Sequence, residues 1–341
     1  MNIKEIAKEA GVSVATISRV MNHPEQVLPE TCARVLAVMK KHNYIPNLFA
    51  RGLNLGETKT IALLVPNIES AIYQMVISGI ETVALSKEHS VLLCNTRCDA
   101  LTERGYIEMV VSRQVDGIIL VASLLEEKHT EVLIEKDIPC VHIGKKVLKG
   151  CHDRCYINYA DDANKMTSYL VSHGYETIDL LLEEKKNEVQ EQIGKGYKAA
   201  ISEALGYVHG NIHFAENSVQ GGYIQCEKLI EEKLLPRALL TSNDYQALGV
   251  MKAAQVHEIK VPEELAIASM TDSQICPIVQ PPLTCMDIPA KRLGMLAARM
   301  LFDIIEDKNI SPHIPQEVIL QSTLKIRRSC GNTKNIYELF E

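Results

Sequence analysis

The chain has 341 residues, 46% of them hydrophobic and 23% charged, the composition of a globular protein built from two or three structural units. No apolar run reaches the roughly 18–20 residues that a helix needs to span a bilayer, and the opening MNIKEIAKEAG has acidic residues and no apolar leader region. A helical membrane protein is excluded; the expected compartment is the cytoplasm, and the ten cysteines are expected to be reduced thiols rather than a disulfide framework. The net charge of −7 is uneven. Residues 1–60 hold eight Lys/Arg against five Glu (+3), and the remainder holds 28 basic against 38 acidic residues (−10). A basic head on an acidic body suits a small polyanion-binding module joined to a body that does not bind polyanions.

The first sixty residues carry helix punctuation. Asn2 with Glu5 has the spacing of an N-cap and its box partner, opening an amphipathic segment with Ile3, Ile6, Ala7 and Ala10. Gly11 stands where a C-cap glycine belongs, and Ser13 follows as a second N-cap. The next helix, Val14 to Asn22, is expected to bury Ile17 and Val20/Met21. Pro29 suits the first turn of a third helix carrying Val35, Leu36 and Met39. Helix, short turn, helix and a packing helix is the tri-helical helix-turn-helix plan.

From Thr60 short apolar strands alternate with amphipathic helices. TIALLVP, VLLCNT, GIILVA and CVHIG are separated by predicted helices at 71–87, 100–113 and 126–135. The pattern restarts with CYINY, IDLLLE, ALLTSN and LAIASM, interleaved with predicted helices near 161–173, 188–205, 220–233 and 244–257. Such alternation predicts parallel sheets with right-handed crossovers, here two doubly wound lobes with a ligand cleft at the carboxyl ends of their strands. Segments 289–307 and 317–326 are expected to cross back and complete both lobes.

The run NIKEIAKEAGVSVATISRVMN, followed by NYIPNLFARGL, resembles the LacI/GalR family of transcription regulators. GETKTIALLVPNI, RQVDGIIL, GYKAA, SNDYQALGV, PPLT and LKIRRS extend the resemblance over nearly the whole chain. It implies a helix-turn-helix domain at 1–45, a hinge helix and linker at 46–59, and an effector-binding and dimerisation domain at 60–341 of periplasmic-binding-protein type. The N-lobe would be 60–158 plus 289–316, and the C-lobe 159–288 plus 317–330. The implied function is that of a repressor that binds a pseudo-palindromic double-stranded DNA operator as a homodimer, with no enzymatic activity and no cofactor.

In the second helix Val14, Ala15, Thr16, Ser18, Arg19 and Asn22 face outward. A helix fits the major groove, where arginine pairs bidentately with guanine. Arg19 is therefore the candidate base reader, Val14 and Ala15 candidate apolar contacts to base edges, and Ser13, Thr16, Ser18 and Asn22 candidates for phosphate contact or capping. Tyr44, Asn47, Ala50, Arg51 and Leu53 complete the DNA-facing set. The resemblance implies paired hinge helices in the minor groove, with Leu53 as the wedge at a central base step. One departure stands out: the family's Ser-x-x-Thr-Arg opening of the third helix is replaced by Leu28, Pro29, Glu30, Thr31 and Cys32, which removes a cap and a candidate phosphate-binding arginine.

In sugar-responsive members, the resemblance implies, an arginine three residues before the glycine of the GY/GF motif and an aspartate at a GFDD-like strand end grip sugar hydroxyls. Ile193 and Thr271 stand at those positions here. The remaining candidate effector contacts are Asp161, Asn217 and Asn243, with Ser70 and Tyr73 where the family often has Asn-Pro-Phe-Phe. An apolar Ile193 does not replace a guanidinium fork, so free hexoses are expected to bind weakly. ARGL, QVDGII and KGYKAA resemble the catabolite control branch, whose members take a phosphorylated phosphocarrier protein as corepressor on the N-lobe. That partner is the alternative to a small-molecule effector.

A solute-binding module would share the two-lobed body, but the helix-turn-helix opposes that reading. A zinc or thiol sensor is suggested by Cys94 with Cys98, and by Cys140, His142, Cys151 and Cys155. Their spacing lacks the two-residue knuckle and closes no four-ligand set, so no metal site is expected.

Overall fold

The computed structural model describes residues 2–42, 44, 57–185, 187–204, 206–307 and 314–331. The chain forms two compact units, Met1–Thr58 and Lys59–Glu341.

The head contains α1 (Ile3–Ala10), α2 (Val14–Asn22) and α3 (Pro29–Lys41), with a 3-10 turn at Pro24–Gln26. Asn2 accepts from Glu5 N while the Glu5 carboxylate accepts from Asn2 N, closing a capping box. Gly11 ends α1 at φ 65°, a left-handed conformation that glycine adopts without a Cβ penalty. Ile6, Ala7, Ala10, Ile17, Val20, Val35 and Met39 form the core. Each large side chain there contributes about 1.5–3 kcal/mol by leaving water, so few can be spared in so small a unit. Leu36, next to Val35 on the same helix, is 55% exposed. One residue is a 100° turn on a helix, and Val35 and Met39, four apart, already fill the inward stripe.

In the body, the first sheet contains β1 (Thr60–Val65), β2 (Ser90–Asn95), β3 (Gly117–Val121), β4 (Cys140–Ile143), β5 (Asp153–Ile157) and β11 (Glu317–Leu320). Its order is β11-β5-β4-β3-β1-β2, all parallel. Around it lie α4 (Ala71–Ser86), α5 (Ala100–Ser112), α6 (Glu127–Glu135) and α11 (Ala290–Asp307). The second sheet contains β6 (Ile178–Glu183), β7 (Ile212–Ala215), β8 (Ala238–Thr241), β9 (Ala266–Ser269), β10 (Thr284–Asp287) and β12 (Thr323–Lys325), in the order β12-β10-β9-β8-β6-β7. Only β12 is antiparallel. Its helices are α7 (Tyr159–Ser172), α8 (Glu188–Glu203), α9 (Val219–Glu231) and α10 (Asp244–Val256). Central strands such as β3, GIILV, are apolar throughout because helices cover both faces.

One expectation about lobe membership is corrected. CYINY begins the second run of strands by rhythm, but β5 pairs with β4 in the first sheet, within the span 60–158 expected for the N-lobe. Residues 317–320, expected in the C-lobe, also belong there, Glu317 pairing with Arg154 and Leu320 with Ile157. The chain thus crosses between lobes after β5, after β10, and between β11 and β12. Strand rhythm marks a strand but not which open sheet edge receives it.

The expectation that every cysteine is a free thiol is also corrected. The loop after β4 folds back through a Leu148–Cys151 bridge and brings Cys151 onto Cys140, with which it forms a disulfide at a Cα–Cα distance of 4.8 Å. Cys94, Cys98 and Cys155 are free.

Candidate nucleic-acid interface and ligand cleft

α2 has two unlike faces. Ile17 (0% exposed) and Val20 are sealed in the head core, while Val14, Ala15 and Arg19 are exposed on the opposite side. The helix start is fixed by Ser13, whose Oγ accepts from Thr16 N at 3.1 Å and lies 3.0 Å from Thr16 Oγ1. Ser13 therefore serves as a cap, one of the two roles expected for it. Thr16 and Ser18 are half-buried. The side chain of Asn22 and residues Asn47, Ala50, Arg51 and Leu53 lie outside the described residues. Tyr44 packs on the head core and donates its N–H to Met39 O. Leu28 is the N-cap of α3 and makes no side-chain cap bond, as its chemistry requires. α1 and the end of α3 are held by Glu9, which meets Lys41 Nζ at 2.8 Å and His42 Nε2 at 2.7 Å. The Lys41 ammonium and His42 hold that carboxyl below the ordinary range.

Within the body, the carboxyl ends of both sheets converge. A pocket with about 510 Å³ of space between atoms is lined from the first sheet by Val121, Ala122, Ile143, Gly144, Tyr156 and Ile157. Tyr73 of α4, Tyr159 of α7, and Glu188, Val189 and Gln192 of α8 complete much of its wall. A second hollow joins Asn67, Glu69 and Ser70, after β1, to Asn217, Ser218, Val219 and Tyr245. There Tyr245 Oη donates to Glu69 O at 3.5 Å, a bond from one lobe to the other. Each sheet has its switch point beside its first strand, where open parallel sheets hold ligands.

The seven sequence-derived positions separate in this geometry. Tyr73 and Asn217 line the cleft, as does Ser70, the N-cap residue of α4. Asp161 is exposed in the first turn of α7, where Asn158, not Asp161, is the N-cap residue. Ile193 does not line either hollow; it is 1% exposed in the C-lobe core beside Leu182 and Tyr197. An aliphatic chain on that helix gains more from the core than from a polar cleft, and Gln192, one residue earlier, faces the pocket. Thr271 is engaged locally: its Oγ1 donates to Asp244 Oδ1 and accepts from Asp244 N, both at 2.9 Å. Asn243 Oδ1 caps α10 by accepting from Gln246 N at 2.9 Å.

A residue missed in the sequence organises this wall. Glu183 ends β6, and its Oε1 accepts from Asn217 Nδ2 at 2.7 Å and from Asn243 Nδ2 at 3.4 Å. Burial pushes its carboxyl up to about 7, against the opposing pull of the Asn243 bond and the Lys185 charge. The available signal was a carboxylate closing the apolar run IDLLL at the end of a strand that the topology aims at the cleft.

Asp272, Cys276 and Cys285 lie close enough for a cation, with donor atoms within 4.8 Å of one another. Arg327 already donates to both Asp272 oxygens, at 2.8 and 2.7 Å, so this donor set suits the guanidinium and not a metal.

Residues 2–47 match the family model described as bacterial regulatory proteins, lacI family, and residues 167–330 match the periplasmic binding protein-like domain. The chain is 30% identical over 311 residues to catabolite control protein A of Staphylococcus epidermidis, covering 91% of this chain and 94% of that one. It is also 30% identical over 335 residues to the HTH-type transcriptional repressor PurR of Vibrio campbellii, covering 95% and 98%. The crystal structure of the lac repressor dimer bound to operator and the anti-inducer ONPF shares the fold with a TM-score of 0.84, at 20% identity over 97% of this chain and 99% of that one. Among the described residues no helix is long and apolar enough to cross a membrane. With a capped helix-turn-helix, a two-lobed α/β body and relatives that are regulators rather than enzymes, the chain belongs to the LacI family of DNA-binding transcription regulators.

Proposed function

We propose that this regulator represses transcription by binding a pseudo-palindromic operator as a homodimer, with its affinity set by a small molecule in the cleft between the lobes. The observation that carries the DNA half is the exposed Val14–Ala15–Arg19 face of α2, mounted on a sealed core and started by the Ser13 cap. Arg19 is the base reader, Val14 and Ala15 pack on base edges, and Thr16, Ser18, Asn22, Tyr44, Asn47, Ala50 and Arg51 contribute backbone or groove contacts, with Leu53 as the wedge. The effector half is supported by the cleft and the Tyr245–Glu69 bond across it, which a ligand can favour or oppose only through unequal affinity for closed and open forms.

A phosphocarrier corepressor on the N-lobe is the second reading. Lys291, Arg292 and Arg299 are exposed on α11, and cationic side chains of this kind receive phosphorylated partners. Three of the relatives carry the name catabolite control protein A.

Fluorescence anisotropy on an operator selected from a random duplex pool tests the main reading. Arg19→Ala is expected to cost about 1–3 kcal/mol and to relax one base position in each half-site. Uniform weakening without a change in base preference would make Arg19 a phosphate contact, and selection of an asymmetric single site would refute the dimer.

A further inference from the structure

We infer that the effector of this regulator is an uncharged, largely apolar molecule bearing an O–H or N–H group, which it donates to Gln192 Oε1 at the wall of the pocket between the lobes. The inference rests on the reading of the cleft as the effector site and names the chemistry of its occupant.

The carbonyl oxygen of Gln192 has no partner. Gln192 lies in the second turn of α8, lines the pocket and is only 8% exposed. Its Nε2 donates to Glu188 Oε1 at 3.3 Å, one turn back on the same helix. An ionised carboxylate only accepts, so this bond fixes which end of the amide faces Glu188 and leaves Oε1 on the other side. Among the described residues no group donates to that oxygen, although it is buried. A buried acceptor without a donor is unfavourable, and a ligand that brings the donor removes the deficit.

The rest of the wall suits an apolar body. Ile72, Val76, Val121, Ile143, Ile157 and Leu293 line the pocket. All but Ile72 belong to the buried core of the N-lobe, and Ile72 packs against that core, as do the rings of Tyr73 and Tyr159. The pocket is thus a gap at the edge of the N-lobe core. Apolar surface gains there by leaving water, whereas the hydroxyls of a hexose laid on the same side chains would lose water without finding partners.

The charges at the pocket select neither an anion nor a cation. Two charged side chains reach the lining, Lys145 from the loop after β4 and Glu188 from the first turn of α8. They are opposite in sign and come from opposite lobes, so an ionic ligand meets repulsion along with attraction. Lys145 is exposed to solvent, and Glu188 already holds the Gln192 amide. The hydrogen-bonding anchor therefore belongs to the C-lobe and most of the apolar wall to the N-lobe. A molecule that uses both favours the closed form.

Benzyl alcohol and anisole test the inference on the full chain, because they are isomers of which only the alcohol carries a donor. Benzoate and glucose complete the set. Each is titrated at neutral pH while the ring signals of Tyr73 and Tyr159 are followed by NMR. Molecules of this size bind with roughly millimolar affinity. Benzyl alcohol is expected to bind about fivefold tighter than anisole, with benzoate weaker than the alcohol and glucose without effect. Gln192→Met, which keeps the length of the side chain and removes its amide, is expected to abolish the difference between the isomers while its thermal melt shows an intact fold. Should that variant not fold, the two isomers on the wild type decide by themselves. Equal binding of the isomers, an alcohol preference that survives in Gln192→Met, or tighter binding of benzoate or glucose than of benzyl alcohol overturns the inference and leaves the cleft reading standing. Ring signals that answer to none of the four probes overturn both.

Discussion

Arg327 grips Asp272 through both terminal guanidinium nitrogens and also donates to Leu283 O at 2.7 Å, with only 2% of the arginine exposed. The closing LKIRRS motif therefore locks the last strand segment to the end of β9. A buried charge left without its partner is expensive, whereas a pair replaced together is not. Arg327→Ala is expected to destabilise the body by about 3–5 kcal/mol, read from urea denaturation. The double variant Arg327→Met/Asp272→Leu should recover more than half of that loss; no recovery would show that Arg327 acts through its Leu283 bond instead.

Glu183 and His142 should give the stability curve opposite slopes. The Glu183 carboxyl titrates near 7 in the folded protein, above its unfolded value. Between about pH 4.5 and 7 the folded state holds the extra proton, so its contribution is present at low pH and is lost as pH rises. Glu183→Gln should therefore gain on the wild type by about 1–3 kcal/mol between pH 5 and pH 8. A difference constant across that range would place the carboxyl in open solvent.

His142 is fully buried, its Nδ1 set against Lys146 O at 2.9 Å and its Nε2 accepting from Ser123 N at 3.3 Å. Burial pushes its value down to about 4. The unfolded chain takes up a proton near 6.5 that the folded chain refuses, so stability is full above that pH and is lost as pH falls toward 4. The wild type should lose up to about 3 kcal/mol more than His142→Gln across this window. Parallel acid limbs in the two proteins would contradict a neutral buried imidazole.

Gly79 and Gly294 hold α4 and α11 at backbone contact: a Cβ on Gly79 would meet Lys291 O, and one on Gly294 would meet Val76 O. The obstacle is backbone on both sides and no side chain can yield. Gly294→Ala should cost about 1–3 kcal/mol or more by forcing the helices apart, measurable by thermal melting. A neutral effect would mean that the two helices slide freely.

The head was legible in the sequence because its determinants are local. Asn2, Glu5, Gly11 and Ser13 sit within four residues of the backbone groups they satisfy, and the 3.6-residue period sorted Ile17 and Val20 from Arg19. The body's strands and helices were legible for the same reason, since apolar runs and helical faces are properties of short windows. Only the tertiary structure decided what depends on distant segments. Residues 317–320 lie in the first sheet because the open edge of β5 there received them. Cys151 meets Cys140 because a loop folds back over β4. Ile193, read by position as a ligand contact, went to the core because burial of an aliphatic chain outweighs its place in a motif. Glu183 looked like the polar end of a strand until Asn217 and Asn243, 34 and 60 residues further along, closed on one of its oxygens. Caps and periodicity act over one or two turns of chain; the charge of a cleft is set by side chains that meet only when the chain has folded.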